Sequence, residues 1–251
     1  MEAKIEIKTI ASQNELDNRG NLVKLYLENP LPENEKVSQA ALFLKRQELA
    51  KILFLNHVYQ KIIDTHGIII EFGVRWGQNL VTLTNLRGIY EPYNYGRKII
   101  GFDTFEGFVN INEKDGTHSI IKNGAFSVTE EYDKYLKKIL TCHQNESPLH
   151  HIQKNFLRKG DASIQLKEYL QEHPETIISF AYFDFDIYKP TKDCLELVLP
   201  LMPKGAVIGF DELLDPQFPG ETVAMLEVIK IRNYSLHKNP FGGIQSYIVL
   251  E

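Results

Sequence analysis

Short apolar runs that end in acidic residues recur through the middle of the chain. They cover residues 68–71, 99–103, 181–186 and 207–212. Apolar runs of this kind are typical of parallel strands that are buried on both faces. In an open α/β sheet, ligands bind in the crevice outside the carboxyl ends of the strands. The pattern therefore predicts a row of carboxylates along one crevice, where they suit ribose hydroxyls, a cationic cofactor or a divalent metal.

Helical patterns alternate with these strands. We predict helices over residues 79–86, 130–140, 162–171, 191–201 and 221–229. Further β segments are predicted at residues 154–158, 234–237 and 246–250. Alternation of strands and helices indicates an α/β sheet.

The N-terminal quarter of the chain does not follow this alternation. Residues 1–35 are polar with turn signals and predict an extension with at most one short helix. Residues 37–63 have a loose helical pattern. The other face of that helix has charged residues, namely Lys45, Arg46, Glu48 and Lys51. We therefore expect an N-terminal helical extension over residues 1–65 and an α/β domain over residues 66–251.

Composition and charge exclude several classes of protein. The formal net charge of −5, with both signs interspersed, argues against a nucleic-acid partner. No segment approaches the ~18 to 20 apolar residues of a membrane span, and the N-terminus has no apolar signal segment. Cys142 and Cys194 form no disulfide framework and indicate a reducing compartment. A cytoplasmic protein without a membrane partner is expected.

The loop after the first predicted strand combines an acid with glycines. Gly73 lets the backbone turn and approach a ligand closely, and Gly77 permits close passage at the start of the next helix. A pyrophosphate-binding loop would have the pattern G-x-G-x-x-G, but Arg75 takes the place of its middle glycine. Glu71 precedes the first glycine, where it would repel pyrophosphate and attract an α-ammonium group. The alternative is an ordinary βα turn that needs glycines for its geometry alone.

Two further acids follow predicted strands. Asp103 stands where an acid hydrogen-bonds ribose hydroxyls in nucleoside-binding α/β folds. Its alternative role is in a cap or turn, since Thr104 and Gly107 follow. Asp161 is a candidate acceptor for an adenine amino group, but an Asp at this place is also a good helix N-cap. Both roles of Asp161 can hold together.

The last two acid-ended strands have paired carboxylates. Asp184 and Asp186 are spaced by two and share one face of a continued strand, and Asp211 and Glu212 end the next strand. Carboxylates that converge without a basic partner resist joint ionisation unless a cation intervenes. Oxygen ligands suit Mg²⁺, Mn²⁺ or Ca²⁺ rather than Zn²⁺. The alternative is that some of these acids cap helices or pair with nearby lysines, namely Lys189, Lys192 and Lys204.

The glycine loop and the acids that end the predicted strands make the chain resemble the class I S-adenosylmethionine-dependent methyltransferases. More narrowly, it resembles the macrocin O-methyltransferase-like family, which methylates sugar hydroxyls in natural-product biosynthesis. The matching segments are residues 70–77, 101–108, 183–188 and 208–212. Glu212 departs from the second Asp that is usual in the family, and Tyr182 stands where the family often has His. These departures concern the metal geometry and the substrate rather than the fold.

The resemblance implies a Rossmann-like, doubly wound, seven-stranded and mostly parallel sheet, with residues 1–65 as a lid or as contacts in a homo-oligomer. It places S-adenosylmethionine against Glu71, Gly73, Gly77, Asn79, Asp103, Thr104, Asp161 and Ala162. It places Mg²⁺, or another divalent cation, on Asp184, Asp211 and Glu212. We take Asp184 as the candidate general base and a sugar or glycoside as the small-molecule acceptor.

Two alternatives stay open at this point. One is a methyltransferase that acts on a catechol, amine or carboxyl group, since acceptor pockets lie in variable loops such as residues 104–150 and 212–222. The other is a non-catalytic nucleoside-binding protein, although such a protein would more readily have lost Asp211 and Glu212. A nicotinamide-dependent oxidoreductase is disfavoured because the G-x-G-x-x-G pattern is absent.

Overall fold

The computed structural model describes residues 11–251 and contains one sheet with seven strands. In chain order the strands are β1 (Ile68–Phe72), β2 (Ile99–Asp103), β3 (Asn155–Lys159), β4 (Ile178–Phe183), β5 (Val207–Phe210), β6 (Leu236–Lys238) and β7 (Ser246–Val249). Their order across the sheet is β3-β2-β1-β4-β5-β7-β6. Strands β1 to β5 are parallel, and β7 is antiparallel to both β5 and β6. The predicted seven-stranded, mostly parallel α/β sheet is confirmed.

Seven α-helices accompany the sheet in the described part of the chain. They are α1 (Gln13–Leu27), α2 (Arg46–Ile62), α3 (Gln78–Tyr90), α4 (Tyr132–Asn145), α5 (Ala162–Glu172), α6 (Tyr188–Val198) and α7 (Pro219–Val228). Apolar side chains of the central strands alternate between two core clusters, so that Ile70 and Phe72 belong to one and Ile69 to the other. Residues of α5, α6 and α7 pack in the first cluster, and residues of α2, α3 and α4 pack in the second. Burial on both faces explains why the strands are apolar at successive positions.

The chain divides into two compact units between Ala50 and Lys51. In the first unit, Ser12 and Glu15 form a capping box at the start of α1, which is longer than the short helix that the sequence predicts. The first ten residues of the predicted extension lie outside the described part. The second unit contains the sheet, and α2 contributes buried side chains from Phe54 to Ile62 to its core. The boundary near residue 65 and the lid role of the extension stay predictions.

Within residues 11–251, every helix is too short or too polar to span a bilayer.

A buried guanidinium group fastens the amino-terminal ends of the central strands. Arg97 lies just before β2, and its side chain is 1% exposed. Its Nε donates to Glu91 Oε2 at 2.8 Å, and its Nη1 donates to the Gly67 carbonyl at 2.6 Å and to Ser179 Oγ at 2.5 Å. One side chain therefore connects the starts of β1, β2 and β4, at the edge of the sheet away from the carboxylates.

Candidate active site

The carboxyl ends of β1, β2, β4 and β5 are tied together by backbone hydrogen bonds that continue one residue past the strands. The bonds run from Gly73 N to Phe102 O at 3.0 Å, from Asp184 N to Phe72 O at 2.9 Å, and from Asp211 N to Phe183 O at 2.9 Å. The parallel register thus brings the acid-ended strands to one edge, as the sequence predicts.

Glu71 is a fully buried acid at this edge. It is 0% exposed, and neither of its carboxyl oxygens has a hydrogen-bond partner among the described residues. Burial raises its pKa well above the ordinary value and the charge of Asp184 raises it further, whereas Lys51 opposes this shift. A buried carboxyl group without donors is costly. The predicted contact of Glu71 with the α-ammonium group of S-adenosylmethionine stays a prediction.

The structure explains why glycine occupies two positions of the loop that follows β1. Gly73 has a φ of 82°, and a Cβ atom there would lie 1.9 Å from the carbonyl oxygen of Asp184. Gly77 also has a φ of 82°, and a Cβ atom there would lie 2.4 Å from Leu136 Cδ1 on α4. These positions need glycine for backbone geometry and packing. The predicted contact of both glycines with the cofactor stays a prediction.

Asp103 organises the same loop through backbone amides. Its Oδ2 accepts from Arg75 N at 2.7 Å, and its Oδ1 accepts from Phe105 N at 2.5 Å. Burial raises the pKa of Asp103, and these amide donors lower it. Thr104 Oγ1 donates to the Gly107 carbonyl at 3.1 Å, which closes the adjoining turn. A carboxylate has about four lone-pair sites, so Asp103 keeps acceptor capacity for ribose hydroxyls.

Asp161 caps the helix that follows it. Its Oδ1 accepts from Ser163 N at 3.0 Å and from Ile164 N at 3.3 Å, and its Oδ2 accepts from Asn110 Nδ2 at 3.1 Å. Ala162 is the buried first residue of α5. The capping alternative for Asp161 is confirmed, and its predicted contact with adenine, beside Ala162, stays a prediction.

The acids at the ends of β4 and β5 have a basic partner, which the sequence analysis did not find. Lys51 Nζ lies 3.1 Å from Asp184 Oδ2 and 2.8 Å from Asp211 Oδ1. The expectation that these carboxylates converge without a basic group is therefore wrong. Burial lowers the pKa of Lys51, but the charges of Asp184 and Asp211 outweigh burial and raise the pKa above its ordinary value. The lysine is an ammonium ion at neutral pH.

Asp184 and Asp211 differ in how completely they are paired. Asp211 Oδ1 accepts from Lys51, from the Tyr182 hydroxyl, and from Gln245 Nε2 at 3.2 Å. Asp184 Oδ2 accepts from Lys51 and, at a longer 3.4 Å, from Asn79 Nδ2. Burial and the charge of Asp211 raise the pKa of Asp184 to about 6, against the effect of Lys51. The weaker pairing of Asp184 favours it, rather than Asp211, as a proton acceptor.

Three further acidic residues, Glu212, Glu221 and Asp186, lie near the carboxyl ends of β4 and β5. Burial raises the pKa of Glu212 to about 8, with a further contribution from Asp211, and its buried Oε2 has no partner among the described residues. Glu221 on α7, which the sequence analysis did not select, is 0% exposed and accepts from Glu212 N at 3.3 Å. Burial and the charge of Glu212 also raise the pKa of Asp186.

The predicted metal ligands do not form a cation site in this arrangement. Among residues 11–251, no group of three or more His, Cys, Asp or Glu side chains is placed to hold a metal ion. Their oxygen donors are of the kind that Mg²⁺ prefers, but the Lys51 ammonium lies between Asp184 and Asp211. Ligation of a divalent cation by Asp184, Asp211 and Glu212 stays a prediction that this geometry does not support.

Comparison with solved structures identifies relatives over the whole chain. The crystal structure of CalS11, described as a calicheamicin methyltransferase, is 37% identical, with 99% of each chain covered and a TM-score of 0.92. An apo structure of CalS11, described as TDP-rhamnose 3'-O-methyltransferase, is 36% identical, with 96% of each chain covered and a TM-score of 0.84. The O-methyltransferase NovP is 17% identical with a TM-score of 0.58 over 80% of this chain and 79% of its own, and it shows the fold alone.

No protein-family model matches the chain, and no curated protein matches it. The family is shown by the similarity to CalS11, which is 37% identical and covers 99% of each chain. The resemblance stated from the sequence motifs is confirmed. The chain belongs to the class I S-adenosylmethionine-dependent sugar O-methyltransferases.

Proposed function

We propose that this enzyme methylates a hydroxyl group of a sugar that is carried by a nucleotide or by a natural product. The observation that carries the proposal is the 37% identity to CalS11 over 99% of both chains. CalS11 is described as an enzyme that acts on TDP-rhamnose in calicheamicin biosynthesis. A nucleotide sugar is therefore the first acceptor to test. A homo-oligomeric assembly and a lid role for residues 1–65 belong to the same proposal.

Four groups are proposed to hold the cofactor. Glu71 would accept the α-ammonium group, because its buried oxygens have no partner among the described residues. Asp103 would accept the ribose hydroxyls with the lone pairs that the loop amides leave free. Asp161 would reach the adenine with the oxygen that does not cap α5, and Gly73 would let the methionine part approach the backbone. When bound, S-adenosylmethionine supplies a methyl group that the sulfonium charge already activates.

Asp103→Ala is expected to weaken binding of S-adenosylhomocysteine about tenfold, which corresponds to roughly 1.4 kcal/mol. The substitution removes the ribose acceptor and also releases the amides of Arg75 and Phe105. Titration calorimetry measures the affinity, and Asp64→Ala, an exposed position in the same unit, serves as the control. Unchanged affinity in Asp103→Ala, or a preference of the wild type for NAD, would contradict this placement of the cofactor.

Asp184 is proposed to accept the proton of the acceptor hydroxyl. A sugar hydroxyl is almost un-ionised at neutral pH, so a base must take its proton as the new bond forms. A base whose pKa lies near the working pH is the most effective, and the pKa of Asp184 is raised to about 6. The acceptor oxygen loses its proton to Asp184 and bonds to the methyl carbon, while the electron pair of the broken carbon–sulfur bond stays on sulfur. Holding the hydroxyl beside Asp184 contributes a proximity effect.

A divalent cation, which the family resemblance implies, would supply Lewis acidity at the acceptor oxygen. Asp184, Asp211 and Glu212 are its predicted ligands. Because Lys51 lies between the first two of these side chains, the proposed proton transfer does not depend on a metal.

The acceptor class is tested by incubating the enzyme with S-adenosylmethionine and separate acceptors. A nucleotide sugar, a simple glycoside, a catechol, an amine and a carboxylic acid form the panel, and mass spectrometry reports the product. We expect a mass gain of one methylene unit on the sugar of the nucleotide sugar. Methylation of the catechol, amine or carboxylic acid alone would contradict the proposal.

A further inference from the structure

The carboxyl edge of β4 and β5 contains its own cation. Lys51 extends from α2, and its side chain is 21% exposed where it meets Asp184 and Asp211. Its Nζ also lies 5.9 Å from the centre of the Tyr182 ring. The two N···O distances of 3.1 and 2.8 Å are those of direct charge-assisted hydrogen bonds. The ammonium therefore lies where a bridging cation would contact the same two carboxylates.

We propose that the Lys51 ammonium takes the place of a divalent cation in this enzyme, so that methyl transfer proceeds without a bound metal. The proposal rests on the function proposed above. Its substance is that one fixed positive charge holds Asp184 and Asp211 together and orients the Asp184 carboxyl group that takes the proton. Lys51 is then a positioning residue that acts on the acceptor through Asp184.

The arrangement around Asp184 leaves one of its oxygens for the acceptor. Among residues 11–251, the side-chain donors that reach Asp184 are Lys51 and Asn79, and both approach Oδ2. The Oδ1 atom is thus the one that can accept the hydroxyl proton. An ammonium beside Oδ2 fixes the rotamer of the carboxyl group without blocking Oδ1. A cation bound to both oxygens would compete with the proton for the same atom.

The surroundings of Asp211 favour the ammonium over a metal for a second reason. The Tyr182 hydroxyl and Gln245 donate to the same oxygen that Lys51 contacts. A metal ion on that oxygen would have to displace the lysine and would be repelled by its charge. Tyr182 stands where the family often has His, so this donor set includes a departure from the family pattern. With three donors in place, Asp211 is satisfied without a metal.

The first test uses the unmodified protein. Wild-type enzyme is treated with EDTA, freed of it by gel filtration, and titrated with Mn²⁺ under electron paramagnetic resonance. We expect no stoichiometric Mn²⁺ site, and full methyl transfer to the nucleotide sugar. A tight stoichiometric site in the wild type, abolished by Asp211→Asn, would overturn the proposal, as would activity that EDTA removes and Mg²⁺ restores.

The second test removes the ammonium. Lys51→Met is expected to lower kcat about 10²-fold, the scale of losing one charge-stabilising group, with little change in S-adenosylhomocysteine affinity. It should also gain a Mn²⁺ site, because Asp184 and Asp211 lose their counter-charge, and Mg²⁺ should restore part of the activity. Lys51→Arg should retain more activity than Lys51→Met without gaining the site. Lys61→Met, an exposed position on the same helix, is the matched control and should change neither property.

Two outcomes separate a structural role from the proposed one. If Lys51→Met lowers only thermal stability and leaves kcat unchanged, the proposal is wrong, because the lysine then merely anchors α2. If Lys51→Met loses activity but gains no Mn²⁺ site, the ammonium does not occupy a cation position and the proposal also fails. Mn²⁺ binding is measured without a methyl acceptor, so failure of the nucleotide sugar as a substrate would affect the proposed function alone.

Discussion

Asp184→Asn is expected to lower kcat by about 10³-fold, within the range that general bases contribute. Asn keeps the size of the side chain but cannot take the hydroxyl proton. Since proton transfer belongs to the transition state, kcat and kcat/KM for the acceptor should fall together. The affinity for S-adenosylhomocysteine should stay nearly unchanged, because the proposed cofactor contacts lie on β1, β2 and the start of α5. Steady-state kinetics with the nucleotide sugar, together with calorimetry, measure both effects.

Asp186→Asn provides a matched comparison two residues further along. Burial and the charges of Glu212 and Asp184 raise the pKa of Asp186 well above its ordinary value, which favours its neutral form. An amide resembles that neutral form, and Asn tolerates the positive φ of 62° at this position. We expect a small effect on kcat. Equal losses in the two variants would mean that the acidity of the whole cluster matters, and not proton acceptance by Asp184.

Arg97→Met is expected to lower the free energy of unfolding by about 3–5 kcal/mol, the cost of breaking a buried charge pair. The substitution leaves the Glu91 carboxylate without its guanidinium partner, and it removes the guanidinium donor from the Gly67 carbonyl and from Ser179 Oγ. Gly67, Arg97 and Ser179 lie where β1, β2 and β4 begin, so the whole sheet should become less stable. Urea denaturation followed by circular dichroism measures the change.

Arg158→Met is the control for loss of an arginine. Arg158 pairs with Glu172 at the surface, where the two side chains are 27% and 53% exposed. Exposed ion pairs of this kind contribute about 0–1 kcal/mol. A loss in Arg97→Met no larger than that in Arg158→Met would contradict the view that Arg97 fastens the strands.

The sheet could be predicted because each strand carries its own signal. A run such as residues 68–72 is apolar at successive positions, and the structure buries it on both faces. The acids that end the strands were predicted to share one edge, and parallel register alone brings them there. For these residues the local apolar pattern and the position in the sheet agree, so the sequence is enough to predict both the strands and the edge at which their acids meet.

Helix ends were less predictable where a distant residue sets them. The pattern predicts a helix over residues 191–201, but α6 begins at Tyr188. Asp115, in the long insert after β2, accepts from Tyr188 N at 2.5 Å and so caps the helix from 73 positions away. A helix start is predicted from capping residues that are neighbours in the sequence. The acceptor that caps α6 is not a sequence neighbour of Tyr188, so it could not be predicted.

The counter-charge of the site could not be predicted for the same reason. Lys51 is one of several charged residues on the polar face of α2, and nothing near it in the sequence marks it. Its partner Asp184 is 133 positions away. Glu221 also lacked a signal, because an acid in the first turn of a helix is normally explained by the helix dipole. Only the packing of α7 in the structure shows that the Glu221 side chain is buried.

The closeness of Gly73 to Asp184 has a consequence for engineering the enzyme. The backbone N–H of Asp184 donates a hydrogen bond to the carbonyl of Phe72, in the strand that contains Glu71. A Cβ atom on Gly73 would collide with the carbonyl oxygen of Asp184. The spacing between the proposed cofactor site at Glu71 and the proposed base Asp184 is thus set by the main chain rather than by exchangeable side chains. Libraries that vary residues 117–131 and 213–218, and leave residues 104–115 and Glu212 unchanged, should therefore change which hydroxyl is presented while the catalytic geometry stays the same. Acceptor choice and catalytic rate become properties that can be selected in separate rounds.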